Sequence, residues 1–176
     1  AGTGKSSTAK AVAALWPACV RVPTDYFLVP RDPDDTTYFE QALAYDWPQF
    51  DVATSGCIGE QSTTPNFDFD HFQRRSPSGG RPFTIQRILI TDGFYPHPKA
   101  HLRILLECND QLRRQRVAER DRLWQTQVVD RWSQLEATRA RLQRDCNDWH
   151  LQLPATNPIS TNATLIIDLI QQTLNS

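Results

Sequence analysis

Gly2-Thr3-Gly4-Lys5-Ser6-Ser7, near the start of this 176-residue chain, matches the latter part of the pattern G-x-x-x-x-G-K-[ST]. Glycines in such a loop let successive backbone N–H groups turn inward around phosphate oxygens, at the positive end of the helix that follows. The Lys5 ammonium would reach the β and γ phosphates of a nucleoside triphosphate, and the Ser6 hydroxyl would ligate Mg²⁺. Lys5, Lys10 and Lys99 are the only lysines, so one placed directly inside a glycine motif stands out from the background. Asp25 follows the short apolar run Cys19-Val20-Arg21-Val22, and a carboxylate there can take the proton of an attacking hydroxyl close to a metal. Asp92 closes the run Ile88-Leu89-Ile90-Thr91, where an acid can hold Mg²⁺. Arg113, Arg116 and Arg120 recur at steps of three and four, which places them on one helical face able to close over a triphosphate.

These residues need elements to position them. The Ala-rich stretch from Ser6 to Trp16 predicts a helix stopped by Pro17. Strands are expected over Cys19–Val22, from Ile85 to Thr91, and from His101 to Cys108. A short helix is expected over Thr37 to Ala44, and a long loop with an edge hairpin over Ser55 to Gly80. Residues 110–150, dense in Arg, Gln, Asp and Glu, predict one or two long solvated helices forming a lid. The tail predicts a strand near Pro158–Ser160 and an amphipathic helix capped by Thr161 or Asn162. Alternating strands and helices imply an α/β fold around a mostly parallel sheet, in a single domain spanning residues 1–176. The sequence contains no methionine and opens inside the glycine motif, so the first strand of that sheet and the first glycine of the loop are expected upstream.

Composition narrows the partners. A formal net charge of −1 with 22% charged residues gives no global field to recruit nucleic acid or an anionic membrane. Four dispersed cysteines without ligand spacing suit a reducing compartment, and no run reaches the length of a membrane span, so a cytoplasmic location is expected. The oligomeric state is left open.

From residue 1 to about 122 the assembled set resembles the uridine kinase and phosphoribulokinase group of P-loop kinases. Asp25-Tyr26-Phe27 is similar to that group's acid-aromatic signature after the second strand, and Tyr45-Asp46-Trp47-Pro48-Gln49-Phe50-Asp51 to its Phe-Asp-His-Pro segment. Pro65-Asn66-Phe67-Asp68-Phe69-Asp70-His71 resembles its Pro-x-Tyr-Asp-Phe stretch, and the arginines up to Arg120-Asp121 resemble its lid. The resemblance implies a three-layer P-loop fold, Asp25 as base, Asp46 on ribose hydroxyls, and Tyr45, Phe67 and His71 lining a base pocket. It implies ATP and Mg²⁺ as cofactors and transfer of the γ-phosphoryl group to a small-molecule hydroxyl, a nucleoside such as uridine being the favoured acceptor. Trp47 replaces the group's histidine, Phe67 lacks its tyrosine hydroxyl, and Asp92 stands where glutamate is more usual. A sugar phosphate, pantothenate or glycerate as acceptor is the alternative. A nucleotide-binding regulatory module is the reading from another class.

Overall fold

A computed structural model describes residues 2–31, 45–69, 71–75, 79–124 and 132–176. The described chain is mixed α/β. Helix α1 (Lys5–Leu15) leads to strand β1 (Cys19–Pro23) and a 3₁₀ turn over Thr24–Phe27. Then come α2 (Trp47–Thr54), β2 (Gln61–Thr63), β3 (Phe67–Asp68), β4 (Gln73–Arg74), β5 (Pro82–Thr84) and β6 (Ile88–Asp92). Strand β7 (Ile104–Glu107), α3 (Asp110–Trp124), α4 (Trp132–Asp145), β8 (Leu151–Pro154) and α5 (Ile159–Leu174) complete the order.

Strands β1 and β6 pair in parallel, with Cys19 opposite Ile88 and Pro23 opposite Asp92. Alternation of side chains across a strand sends Ile88 and Ile90 to one face and Leu89 to the other. On the first face they join Val12 of α1, Cys19, Ile166 of α5, and Leu106 and Leu153 of the second parallel pair, β7–β8. On the opposite face Val20, Val22 and Leu89 pack with Phe27 and with Phe50 of α2. The β1–β6 pair is thus covered on both sides, as parallel strands require.

The expected single sheet is realised differently: the described strands form four two-stranded sheets, two parallel (β1–β6, β7–β8) and two antiparallel (β2–β5, β3–β4). The two parallel pairs share one apolar cluster, yet no ladder joins β6 to β7 among the described residues. The predicted loop over 55–80 contains β2, β3 and β4, and the hairpin expected there is β3–β4. The strand expected from Ile85 begins at Ile88, because Pro82–Thr84 pairs with β2 instead. The tail strand lies at Leu151–Pro154 rather than near Pro158, since Leu151 and Leu153 carry the inward alternation. Pro158 itself is the N-cap of α5, so neither Thr161 nor Asn162 caps that helix. The helix expected over Thr37–Ala44 lies outside the described residues. Residues 110–150 do form two helices, but α3 is not simply solvated, for it buries Arg113, Val117 and Asp121. Among the described residues no helix is long and apolar enough to cross a membrane.

Candidate functional site

The site is built where β1 and β6 end together and α1 begins. Gly2 and Gly4 have φ of 79° and 83°, the left-handed region that glycine enters without strain. A Cβ on Gly2 would lie 2.6 Å from the Arg113 carbonyl oxygen, so α3 closes on this backbone as far as it can. A Cβ on Gly4 would meet nothing within 4 Å, and Gly4 caps α1 with no side-chain hydrogen bond. No side chain therefore caps the N-terminus of α1, and a helix end of that kind is where an anion is commonly received.

Lys5 is half-buried and its ammonium donates to the Thr3 hydroxyl at 3.3 Å. Burial lowers its pKa, Asp25 and Asp92 pull it back up, and Arg113 and Arg120 push it down. Five of the expected charged residues thus lie within electrostatic reach of one another. Ser6 donates from Oγ to Asp92 Oδ2 at 2.5 Å. Ser7, the next residue of α1, is exposed.

Asp25 sits on the 3₁₀ turn directly after β1. Burial, and then the Asp92 charge, raise its pKa to about 6, against the opposing pull of Lys5 and of the Tyr45 hydroxyl. Tyr45 donates to Asp25 Oδ1 at 3.4 Å and accepts from the Phe94 amide at 2.8 Å. Burial, and then Asp25, push the Tyr45 phenol well above its ordinary range, so it remains a proton donor to the acid. Behind Asp25, the Thr24 hydroxyl donates to the Asp92 carbonyl at 3.0 Å. Gly93 makes this approach feasible: a Cβ there would fall 1.9 Å from Thr24 Oγ1.

The remaining expected residues are distributed around this centre. Phe67 is buried with Leu28 and Tyr45 in an aromatic cluster that includes Trp47. Asp46 caps α2 through the Gln49 amide at 3.0 Å and pairs with Arg74 at 2.9 Å, so both of its oxygens are engaged. Burial raises the Asp46 pKa, and the Arg74 and Gln49 hydrogen bonds outweigh it, leaving the group below the usual carboxylate value. His71 turns its ring to Asp68 at 3.0 Å with 77% of its side chain exposed.

The three arginines of α3 share a face but do different things. Arg113 is 2% exposed, pairs with Asp110 and Glu136, and lies over the Trp132 ring. Arg116 donates to the Gly2 carbonyl at 3.5 Å and to the Ala155 carbonyl at 3.1 Å. Arg120 approaches Asp121 at 3.9 Å while remaining close enough to act on Lys5.

Sequence reasoning missed Arg21. It grips Asp92 with both arms of its guanidinium, Nε to Oδ1 at 2.7 Å and Nη2 to Oδ2 at 2.9 Å. The signal was a lone charge inside the strand Cys19-Val20-Arg21-Val22, which a buried strand does not tolerate unpaired.

Among the described residues no group of three or more His, Cys, Asp and Glu side chains gathers into a metal cage. The donors present are hard oxygens, the Ser6 hydroxyl and the Asp92 carboxylate, beside the glycine turn that starts α1. That set fits Mg²⁺, which is held through one or two carboxylates together with substrate phosphates.

No family model matches the chain, and neither does any curated protein. A solved structure that matches is that of a "putative fructose transport system kinase" from Silicibacter sp. TM1040, with a TM-score of 0.61 and 18% identity. The match covers 87% of this chain and 85% of that one. At that identity the likeness establishes a shared fold.

Proposed function

We propose that this chain is an ATP- and Mg²⁺-dependent phosphotransferase that moves the γ-phosphoryl group to the hydroxyl of a small molecule. The observation that carries the reading is the convergence of Lys5, Ser6, Asp25 and Asp92 at the shared carboxyl end of β1 and β6, beside an uncapped helix N-terminus. Open α/β folds place ligands at such an edge. The fold shared with a protein described as a kinase is a second support.

Bound Mg²⁺ and ATP supply the transferable group and neutralise its charge. The chain's own part is positioning and electrostatics. Gly2 to Ser6 present backbone N–H groups and the Lys5 ammonium to phosphate oxygens. The Ser6 hydroxyl, already on Asp92, is the cation ligand from α1. Asp25 accepts the acceptor's hydroxyl proton; its pKa of about 6 leaves it ionised at neutral pH yet more basic than an ordinary carboxylate. Arg116 and Arg120 place positive charge over the same loop, and Arg113 holds α3 against it.

A nucleoside is the first acceptor to test, with Tyr45, Asp46, Phe67 and His71 as its contacts. A second reading keeps the chemistry and takes another small alcohol, such as a sugar or sugar phosphate. Two observations favour it: both Asp46 oxygens are already engaged, and His71 is exposed and turned to Asp68. Radiolabelled phosphate transfer from ATP to a panel of nucleosides, sugars and sugar phosphates tests both readings. Hydrolysis without transfer to any acceptor would instead point to a nucleotide-binding regulatory module.

A further inference from the structure

Asp92 is more tightly held than a side chain that only awaits a cation. Its side chain is 5% exposed and that of Arg21 15%. Arg21 occupies both carboxylate oxygens, and Ser6 adds a third hydrogen bond on Oδ2. The pairing is geometrically determined: Pro23 lies opposite Asp92, so Arg21 comes from one pleat below on the neighbouring strand and reaches up the same face. An arginine fork fixes the plane of a carboxylate as a single-point ammonium cannot. A divalent cation bound directly to either oxygen, at about 2.0–2.1 Å for Mg²⁺, works against the full positive charge of the guanidinium, and at Oδ2 it also competes with two hydrogen bonds already made there.

We infer that Arg21 is a positioning residue for Asp92: it aims Oδ2 at the Ser6 hydroxyl and keeps free divalent cations off the carboxylate. On the kinase reading above, the metal is thereby admitted together with the nucleotide, whose phosphates supply the missing negative charge. A pair acting through charge alone would leave divalent-cation affinity unchanged in Arg21→Lys, so a gain in that variant separates the fork from simple repulsion.

Mn²⁺ is the probe, titrated into nucleotide-free protein and followed by electron paramagnetic resonance of the free ion. Arg21→Gln removes the charge and the fork, and is expected to bind Mn²⁺ about tenfold or more tightly than the unsubstituted protein. Arg21→Lys keeps the charge but holds one oxygen, and a gain of about two- to threefold is expected. Adding Asp92→Asn to Arg21→Gln should abolish the gain. Unchanged or weaker Mn²⁺ binding by a folded Arg21→Gln protein overturns the inference. Should that variant not fold, the same result with Arg21→Lys does so. The kinase reading fails separately: a Mn²⁺ gain in a protein whose unsubstituted form transfers phosphate to no acceptor leaves the positioning role intact, while transfer with unchanged Mn²⁺ affinity does the reverse.

Discussion

Replacing Asp25 by asparagine is expected to stabilise the nucleotide-free protein at pH 8 while stopping turnover. Folding carries this carboxyl from an ordinary pKa of 3.8 to about 6, chiefly by burial and then by the Asp92 charge. The folded pKa is the higher one, so the folded state retains a proton that the unfolded chain releases. Stability is therefore greatest below pH 4 with respect to this group and is lost as pH rises through about 6. A shift of about two units at 1.36 kcal/mol each sets a ceiling of about 3 kcal/mol. Asp25 is only partly shielded from solvent, which brings the expected gain to about 1–3 kcal/mol. For a chain of this length that is about 3–10 °C in Tm. Asparagine keeps the shape and an acceptor oxygen for the Tyr45 hydroxyl, so little packing is disturbed. Thermal and urea unfolding of both proteins at pH 8 and at pH 4 is the assay: the variant should lead at pH 8 and the difference should vanish at pH 4. ATP affinity should persist while kcat collapses, and kcat/KM of the unsubstituted protein should rise as pH passes through about 6. A variant that is less stable at pH 8, or equally favoured at both pH values, would refute the account of Asp25 as a desolvated base.

Three further outcomes are expected. Lys5→Ala should weaken ATP binding by about 10- to 100-fold, the worth of a charge-assisted contact to phosphate, with little loss of fold stability because a desolvated ammonium is removed; calorimetric titration and urea melts on one preparation separate the two effects. Gly93→Ala puts a Cβ 1.9 Å from Thr24 Oγ1 and 3.0 Å from the Tyr45 hydroxyl, and should cost about 1–3 kcal/mol in urea unfolding; an unchanged midpoint would mean the β6 turn is not the constraint described. Asp46→Ala should cost about 0.5–2 kcal/mol as a lost helix cap whatever the acceptor, and should lower kcat/KM by about 10- to 200-fold only if the acceptor is a ribonucleoside. Equal rates on ribo- and 2′-deoxynucleosides would remove the ribose role.

The residues gathered at the candidate site were more legible in the sequence than the elements around them. Gly2, Gly4 and Lys5 announce a loop and a helix start because glycine spacing and helix propensity are local properties, and the left-handed φ values follow from them. Asp92 was legible from the apolar run before it, and Asp25 from the strand that ends ahead of its turn. Arg21 as partner of Asp92 was not, since the two are 71 residues apart and strand register decides their meeting. The same holds for β2 with β5, short strands of mostly polar composition whose pairing no periodicity encodes. Asp46 shows a subtler miss. The motif that drew attention to it as a ligand-binding acid also begins α2, with Pro48 in the first turn, and the capping signal was present but unread.

The two hydrogen bonds of Arg116 have a consequence for biosynthesis. They tie the Gly2 carbonyl to a side chain 114 residues later, and that side chain to the carbonyl of Ala155. At about 5–20 residues per second a ribosome takes roughly 6–23 s to travel from Gly2 to Arg116, and longer to reach Ala155. During that interval the glycine loop lacks the α3 backbone that abuts Gly2 and the guanidinium that fixes its carbonyl. The segment that reads most clearly as a nucleotide cradle is thus translated early and acquires these supports late. A nascent chain released before residue 155 carries the motif without its full set of contacts.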